Sequence, residues 1–579
     1  MAMPPPMKFS RRKIIGLGIA AAAALLGGIA YNLHIAGNRT LQMVTGLPSP
    51  VTVSIDGGAP VTLSQPYPVP VPISEGRHRV SLTGAMTDEF DIDLESGFFQ
   101  RFFTSPVFVL NPGGARLLVY ETTVYSKTPD DKGARTHRYA YGEQYSFYPD
   151  VAYCFMPFPP SITIDSNSSS VKRSRIGTFD GRVSDAVFEL NMQNQLDEAF
   201  NLAEWRLRLC PDDTRTLDAY AYMGMEKNTA ARALEFLKEG CKRRPVEIPW
   251  HEKYQRLRAQ DPELEQEYDA LLKNDPDNAA LLYLRALLEP DDAIADAQFE
   301  RSIEKDPKNP WPHYALGHHD MSGGEWDKAK AHLSRACELA PDNPDYKDML
   351  HEIRLALGEY AGLEKELREQ LQSDPYNLDL NRRLCDVLLA QGQQEQARAL
   401  AAAFGAKLQT EPDSLGLSES LNEYVLYACG DFARLEQAAA PGTDLQFQAL
   451  FEQGKLKELA EQYPLKANSD AFWCMLMSAG WSAQNDEDRA KIWREKAIEL
   501  FGKGNRDAFR IAAVLRSDEP SPVAGVSCLH LPPKQTALVY AILAQRFPEK
   551  SAEYKALGRR LNIDYGFPYH FLKRVLAEK

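Results

Sequence analysis

Residues 309–341 read NPWPHYALGHHDMSGGEWDKAKAHLSRACELAP, and this stretch decides the fold class. Two segments of helical length lie on either side of Gly324, which can end the first helix in the left-handed conformation. Gly317 is small enough to let two antiparallel helices approach closely. Pro341 ends the second helix, since proline cannot continue one. The stretch therefore predicts a helical hairpin.

Prolines recur at the end of each predicted second helix, at intervals of 31 to 37 residues. Such a period indicates an array of helical hairpins, which we place at 183–412. Beyond residue 412 the period fades, and we predict degenerate helical repeats and a C-terminal cap at 413–579. The prolines of the series are Pro211, Pro245, Pro276, Pro307, Pro341, Pro375 and Pro412.

The unit at 309–341 resembles a tetratricopeptide repeat at Gly317, Gly324, Trp326, Ala329 and Ala336. This resemblance implies a mainly α fold, a tetratricopeptide-type α-solenoid whose first helices line a concave groove for a peptide or helix of a protein partner. The resemblance places a mixture of acidic and aromatic residues in this groove, which would suit an extended peptide or a basic helix. The implied groove residues are Asp218, Tyr222, Tyr314, His318, Met321, Asp348, Glu352, Arg382 and Asp386.

Residues 48–163 have the alternating pattern of β-strands, with a hairpin turn at Asp56, Gly57 and Gly58. Residues 50–84 resemble the β modules called PEGA domains, so we predict a small all-β, sandwich-like domain followed by a linker at 164–182. The many aromatic residues at 139–158 leave two interpretations open. They form the core of this module, or they form a glycan-binding or enzymatic site.

Residues 14–31, IIGLGIAAAAALLGGIAY, are uncharged and follow a basic N-terminus at 1–13. The run is long enough for one transmembrane helix, and the positive-inside rule then keeps 1–13 in the cytoplasm and the bulk of the chain outside it. A cleaved twin-arginine export signal is an alternative, which would release an exported soluble protein. A third alternative is reversed topology, which the eight scattered cysteines favour.

Charge and motifs restrict the function further. A net charge of -14 opposes binding to nucleic acid. His313, His318, His319 and Asp320 are spread around one helix, and Cys528 with His530 is a weak nucleophile pattern. We therefore predict no enzyme, no cofactor and no metal site. The expected function is a membrane-anchored protein-interaction scaffold in the cell envelope, and the alternative is a glycan-binding or enzymatic protein.

Overall fold

A computed structural model describes residues 11–64, 67–104, 106–127, 135–226, 228–259, 261–408, 415–440, 442–463, 470–502, 506–527 and 529–578. The chain divides into two compact units, Met1–Glu239 and Gly240–Lys579. The first unit contains the strands and the first helices of the repeat array, and the second unit is helical.

The first unit begins with helix α1 (Arg11–Gly37), which covers the predicted transmembrane run at 14–31. Among the described residues, no helix combines the length and the apolar character that a bilayer crossing needs. The transmembrane helix predicted at 14–31 is therefore not supported by the structure.

Three four-stranded sheets follow α1 and form three layers. The central sheet has the order β10-β7-β1-β4, one outer sheet β3-β2-β5-β6, and the other β11-β12-β8-β9. The strands are β1 (Arg39–Met43), β2 (Val51–Ile55), β3 (Val61–Leu63), β4 (Val69–Ile73), β5 (Gly76–Gly84), β6 (Asp88–Leu94), β7 (Val107–Leu110), β8 (Leu118–Ser126), β9 (Thr136–Ala140), β10 (Tyr145–Tyr148), β11 (Tyr153–Cys154) and β12 (Ser170–Thr178); the short helix α2 (Gln100–Phe103) precedes β7.

The central sheet is covered on both faces, as the side chains of strand β7 show. All four of its residues, VFVL, are buried. Phe108 and Leu110 pack with the sheet of β2 and β5, whereas Val107 and Val109 pack with Leu118 and Ile176 of the other outer sheet. An uninterrupted apolar strand is typical of a sheet buried on both sides. The predicted β domain is therefore present, with three layers.

The segment 164–182, predicted as a linker, contains strand β12. It pairs with β8 over nine residues, from Ser170 opposite Ser126 to Thr178 opposite Leu118. Most of its residues keep some exposure to solvent, and Arg175 forms an ion pair with Glu121 of β8. Because such a strand needs few apolar residues, its sequence resembles that of a polar loop.

The remaining helices form successive hairpins. They are α3 (Val183–Met192), α4 (Leu196–Leu209), α5 (Thr214–Met223), α6 (Ala230–Gly240), α7 (Ile248–Leu257), α8 (Leu264–Asn274), α9 (Ala279–Ala286), α10 (Asp292–Lys305), α11 (Pro310–Ser322), α12 (Trp326–Leu339), α13 (Pro344–Ala356), α14 (Tyr360–Ser373), α15 (Leu378–Ala390), α16 (Gln394–Leu408), α17 (Leu415–Ala428), α18 (Phe432–Ala438), α19 (Asp444–Glu452), α20 (Leu456–Gln462), α21 (Ala471–Ala483), α22 (Glu487–Phe501), α23 (Arg506–Arg516), α24 (Val523–Ser527), α25 (Pro533–Arg546), α26 (Ser551–Leu561) and α27 (Tyr569–Val575).

Two local signals recur along the hairpins and explain their period. An asparagine caps the first helix in several of them; the side chain of Asn309, for example, accepts a hydrogen bond from the Trp311 amide at 3.1 Å. A residue with positive φ then ends the first helix, as Gly324 does at 72°. The same turn position is taken by Asn194, Gly358, Gly392, Gly430, Gly454 and Asn485.

Gly317 lies where α11 crosses α12. A Cβ atom built on it would lie 2.7 Å from Cγ of Leu333, which is closer than carbon atoms pack. The role predicted for Gly317, close approach of two helices, is therefore confirmed.

Candidate functional site: the inner face of the helical repeats

The predicted groove residues of three hairpins occupy equivalent positions. His318, Glu352 and Asp386 each lie six residues before the left-handed turn glycine of their hairpin. Tyr314, Asp348 and Arg382 each lie four residues earlier, on the same face of the helix. We call the face that contains these two positions, on the first helix of each hairpin, the inner face.

In the second unit, the C-terminal segment, defined as residues 529–578, lies against this inner face. At α11, the hydroxyl of Ser322 donates a hydrogen bond to the Leu531 carbonyl at 3.5 Å. The ring of His319 stacks on that of His530, with centroids 4.0 Å apart. Met321 belongs to the same apolar core as Leu531. The start of the C-terminal segment thus packs against α11, the first helix of the 309–341 hairpin.

Further along the segment, charged groups face α13 and α15. Lys534 forms an ion pair with Asp564, and its ammonium also donates to the Gly566 carbonyl at 2.8 Å. Burial lowers the pKa of Lys534, because the charged form loses its hydration. The inner-face residues Glu352 and Asp386 feel the charges of Lys534 and Asp564.

The two inner-face carboxyl groups titrate abnormally. Asp386 is buried and accepts a hydrogen bond from the Tyr424 hydroxyl, and its burial raises its pKa to about 7. Glu352 retains exposed surface, but loss of hydration within the surrounding protein raises its pKa to about 6. The negative charge of Asp564 raises this pKa as well. Asp386 therefore takes up its proton near neutral pH, and Glu352 does so about one pH unit lower.

The end of the segment, helix α27, is held by α17 and α19. His570 bonds the Ala428 carbonyl at 3.2 Å. The fully buried carboxylate of Glu452 accepts a hydrogen bond from the Phe571 amide at 3.1 Å and another from the Tyr427 hydroxyl at 2.6 Å. Arg574 completes the contact through an ion pair with Glu452 at 3.0 Å.

Helix α25 is the most deeply buried part of the segment, and it packs against α21 and α11. Its residues from Thr536 to Ala544 are all buried. Full burial of one large apolar side chain stabilises a fold by about 1.5–3 kcal/mol, so the five large ones here contribute about 8–15 kcal/mol. A partner would have to bury a similar apolar area in order to displace α25. The large residues are Leu538, Val539, Tyr540, Ile542 and Leu543.

The first two hairpins, in the first unit, keep their inner face exposed. Phe188 of α3 lies six residues before the turn residue Asn194, at the position that His318 takes in α11. Its side chain is 58% exposed, and Met192 one turn later is 68% exposed. On α5, Tyr222 is 64% exposed. We call Phe188, Met192, Tyr222 and Met225 the open face.

The nine predicted groove residues thus have different surroundings. Asp218 and Tyr222 are exposed on α5, and Tyr314 packs on Tyr346 with ring centroids 4.8 Å apart. Asp348 pairs with Arg383, and Arg382 pairs with Asp379. The last four, His318, Met321, Glu352 and Asp386, lie beside residues of the C-terminal segment. Phe188 and Met192 were not among the predicted groove residues, although their spacing of four residues on one helix is a detectable signal.

Among the other sequence candidates, His319 and His530 contact each other, whereas His313 has a different neighbour. The ring of His313 faces that of His332, whereas the Nδ1 atom of His319 bonds Asp296 at 2.7 Å. Cys528 lies outside the described residues. The aromatic residues at 139–158 are distributed over β9, β10 and β11. Tyr139 packs on Phe179, for example. The glycan-binding alternative stays a prediction.

Comparison with known proteins supports one part of this architecture. Residues 290–353 match the tetratricopeptide repeat family. This match covers α10, α11, α12 and most of α13, including the hairpin on which the sequence prediction was based. No curated protein matches the chain.

Three solved structures have a partial likeness. A structure of Naa15/Naa10 bound to HypK-THB is 16% identical, with a TM-score of 0.22, over 66% of this chain and 70% of that one. The hetero-tetramer Cut9-Hcn1 of APC/C is 12% identical, with a TM-score of 0.21, over 68% and 96%. The P58(IPK) TPR domain is 12% identical, with a TM-score of 0.16, over 57% and 98%. TM-scores of this size support no argument about function.

Proposed function

We propose that this chain is a protein-interaction scaffold that binds its partner on the open face of α3 and α5. The proposed partner element is an amphipathic helix or peptide that inserts apolar side chains between Phe188 and Tyr222. Its flanks are basic, because Asp185 and Asp218 are exposed on the same two helices.

The exposure of four large apolar side chains supports this proposal. Four side chains are between 43% and 68% exposed: Phe188, Met192 and Tyr222 on the contacting helices α3 and α5, and Met225 in the turn that follows α5. Aromatic residues and methionine are enriched in protein interfaces, and contiguous exposed apolar surface marks interaction sites.

The second unit supports the proposal in a different way. There the inner face already binds a polypeptide, since α11 to α21 contact the C-terminal segment through apolar packing and through hydrogen bonds to its backbone. The inner face of this chain is thus chemically suited to holding a polypeptide. The open face has the corresponding position in the first two hairpins.

Site-specific photo-cross-linking in cells of the source organism tests the proposal. A photoreactive phenylalanine analogue is placed at Phe188, at Tyr222 or, as a control, at Ile492, which is an apolar residue of α22 that is 54% exposed. We expect one and the same protein adduct from the first two positions and none of it from Ile492. The adduct formed at Tyr222 disappears when Phe188→Ser is added.

Three results would count against the proposal. The first is the absence of an adduct at both Phe188 and Tyr222. The second is the same adduct at Ile492, which would indicate non-specific contact. The third is an adduct at Tyr222 that persists unchanged in the Phe188→Ser chain, because apolar anchors in one interface should depend on each other.

The site of action is a further part of the proposal, and it rests on the sequence of residues 1–31. The basic N-terminus and the uncharged run that follows support export of the chain, with the repeats outside the cytoplasm. An alkaline phosphatase fusion to the C-terminus tests this. We expect an active fusion, and an inactive but stable one would support reversed topology.

A further inference from the structure

Two histidines and an aspartate that are far apart in the sequence meet where the C-terminal segment begins. Asp292 is the first residue of α10, His319 lies near the end of α11, and His530 lies three residues before the start of α25. One ligand atom from each lies within 4.8 Å of the other two. The side chains are 23%, 16% and 21% exposed, respectively, so solvent reaches them only in part.

We infer that Asp292, His319 and His530 form a binding site for a divalent transition metal, with Zn²⁺ as the expected ion. Two imidazoles and one carboxylate are a ligand set that proteins use for zinc. The site would join α10 and α11 of the repeats to the C-terminal segment. It is independent of the partner site proposed above.

The distances among the ligand atoms suit this ion. A tetrahedral zinc ion with bonds of about 2.0–2.2 Å holds its ligand atoms about 3.3 Å apart. The Nε2 atom of His530 and the Oδ1 atom of Asp292 are already 3.1 Å apart. Since no pair exceeds 4.8 Å, the imidazole of His319 has to shift by no more than about 1.5 Å.

The surroundings of His319 are those of a metal ligand. Its Nδ1 atom bonds the carboxylate of Asp296 at 2.7 Å, so its Nε2 atom is the one that faces the site. A carboxylate on the outer nitrogen orients a histidine ligand and increases its basicity. The carboxylates of Asp292 and Asp296 together balance the two positive charges of the ion.

A cavity of about 290 Å³ adjoins two of the three residues, His319 and His530, and gives an ion access to them. The cavity is also lined by Tyr283, Phe299, Tyr314, His318 and Arg510.

Calorimetric titration of the full, chelator-treated chain with ZnCl₂ tests the inference. We expect one saturable site per chain, and Co²⁺ should give the visible absorption bands of a tetrahedral complex. His319→Gln and His530→Gln should weaken binding by at least 100-fold. Asp296→Asn should weaken it by about 10- to 100-fold, because it removes only the supporting carboxylate.

His313→Gln is the matched control, since His313 lies on the same helix but faces His332. Its affinity for Zn²⁺ should equal that of the wild type. The inference fails if the wild type has no saturable site, if His530→Gln binds as tightly as the wild type, or if His313→Gln loses binding. Should a glutamine variant unfold, as judged by circular dichroism, Asp292→Asn takes its place because it is nearly isosteric. The inference then fails if Asp292→Asn binds Zn²⁺ as tightly as the wild type.

Discussion

Replacement of Glu452 by alanine should release helix α27 from the repeats. The change leaves the Tyr427 hydroxyl and the Phe571 amide without their acceptor, and each unsatisfied buried group costs about 1–3 kcal/mol. The ion pair with Arg574 adds little, because the Arg574 side chain is 51% exposed and is hydrated once the pair is broken. From the two unsatisfied groups we therefore expect a total loss of about 2–6 kcal/mol.

The assay is limited trypsin digestion with mass spectrometry of the cuts after Lys573 and Arg574. A loss of about 3 kcal/mol makes the open state about 150-fold more frequent, and cleavage should accelerate by a similar factor. Glu461→Ala is the control, since this glutamate is exposed on α20. If Glu452→Ala resists trypsin as well as Glu461→Ala does, the contacts that we assign to α27 do not hold it in place.

Two other substitutions test the packing and the electrostatics of the inner face. Gly317→Ala should lower the free energy of unfolding in urea by about 1–3 kcal/mol, because the new Cβ atom meets Leu333. Gly362→Ala is the control, since its Cβ atom meets only the end of the flexible Arg354 side chain. It should be neutral or stabilising by up to about 1 kcal/mol. Burial raises the pKa of Asp386 to about 7 in the folded protein. Between about pH 4 and about pH 7 the group is ionised in the unfolded chain but protonated in the folded one, so the wild-type fold loses stability as the pH rises. The asparagine side chain does not ionise, so Asp386→Asn should become increasingly stabilising relative to the wild type over this range. Equal unfolding for the two alanine variants, or an Asn effect that does not vary with pH, would contradict these assignments.

The sequence predicted the repeat array because its signals are local. Proline, a capping asparagine and a glycine with positive φ together mark the hairpins that begin at Asn309, Asn343 and Asn377, each within about 34 residues. Strand β12 was missed because its partner β8 lies more than forty residues away and its own residues are mostly polar. The third sheet was missed for the same reason, since strand pairing over long separations leaves no periodic signal.

The candidate site was only partly predictable. Helical spacing predicts that His318, Glu352 and Asp386 share one face of their helices, and each lies six residues before the turn glycine of its hairpin. It could not predict that residues 529–578 would lie against them, because this depends on contacts between residues about 200 positions apart, such as Ser322 with Leu531. The grouping of Asp292, His319 and His530 is hidden from sequence patterns for the same reason.

Hydrogen exchange of the intact chain, read by mass spectrometry, tests the central claim most directly. If the C-terminal segment fills the inner face of the second unit, amides of α25 (Pro533–Arg546) should exchange as slowly as those of α21 (Ala471–Ala483), against which it packs. Exchange of α25 at the rate of unprotected amides, with α21 still protected, would contradict the account, because the inner face of the second unit would then be free for a partner.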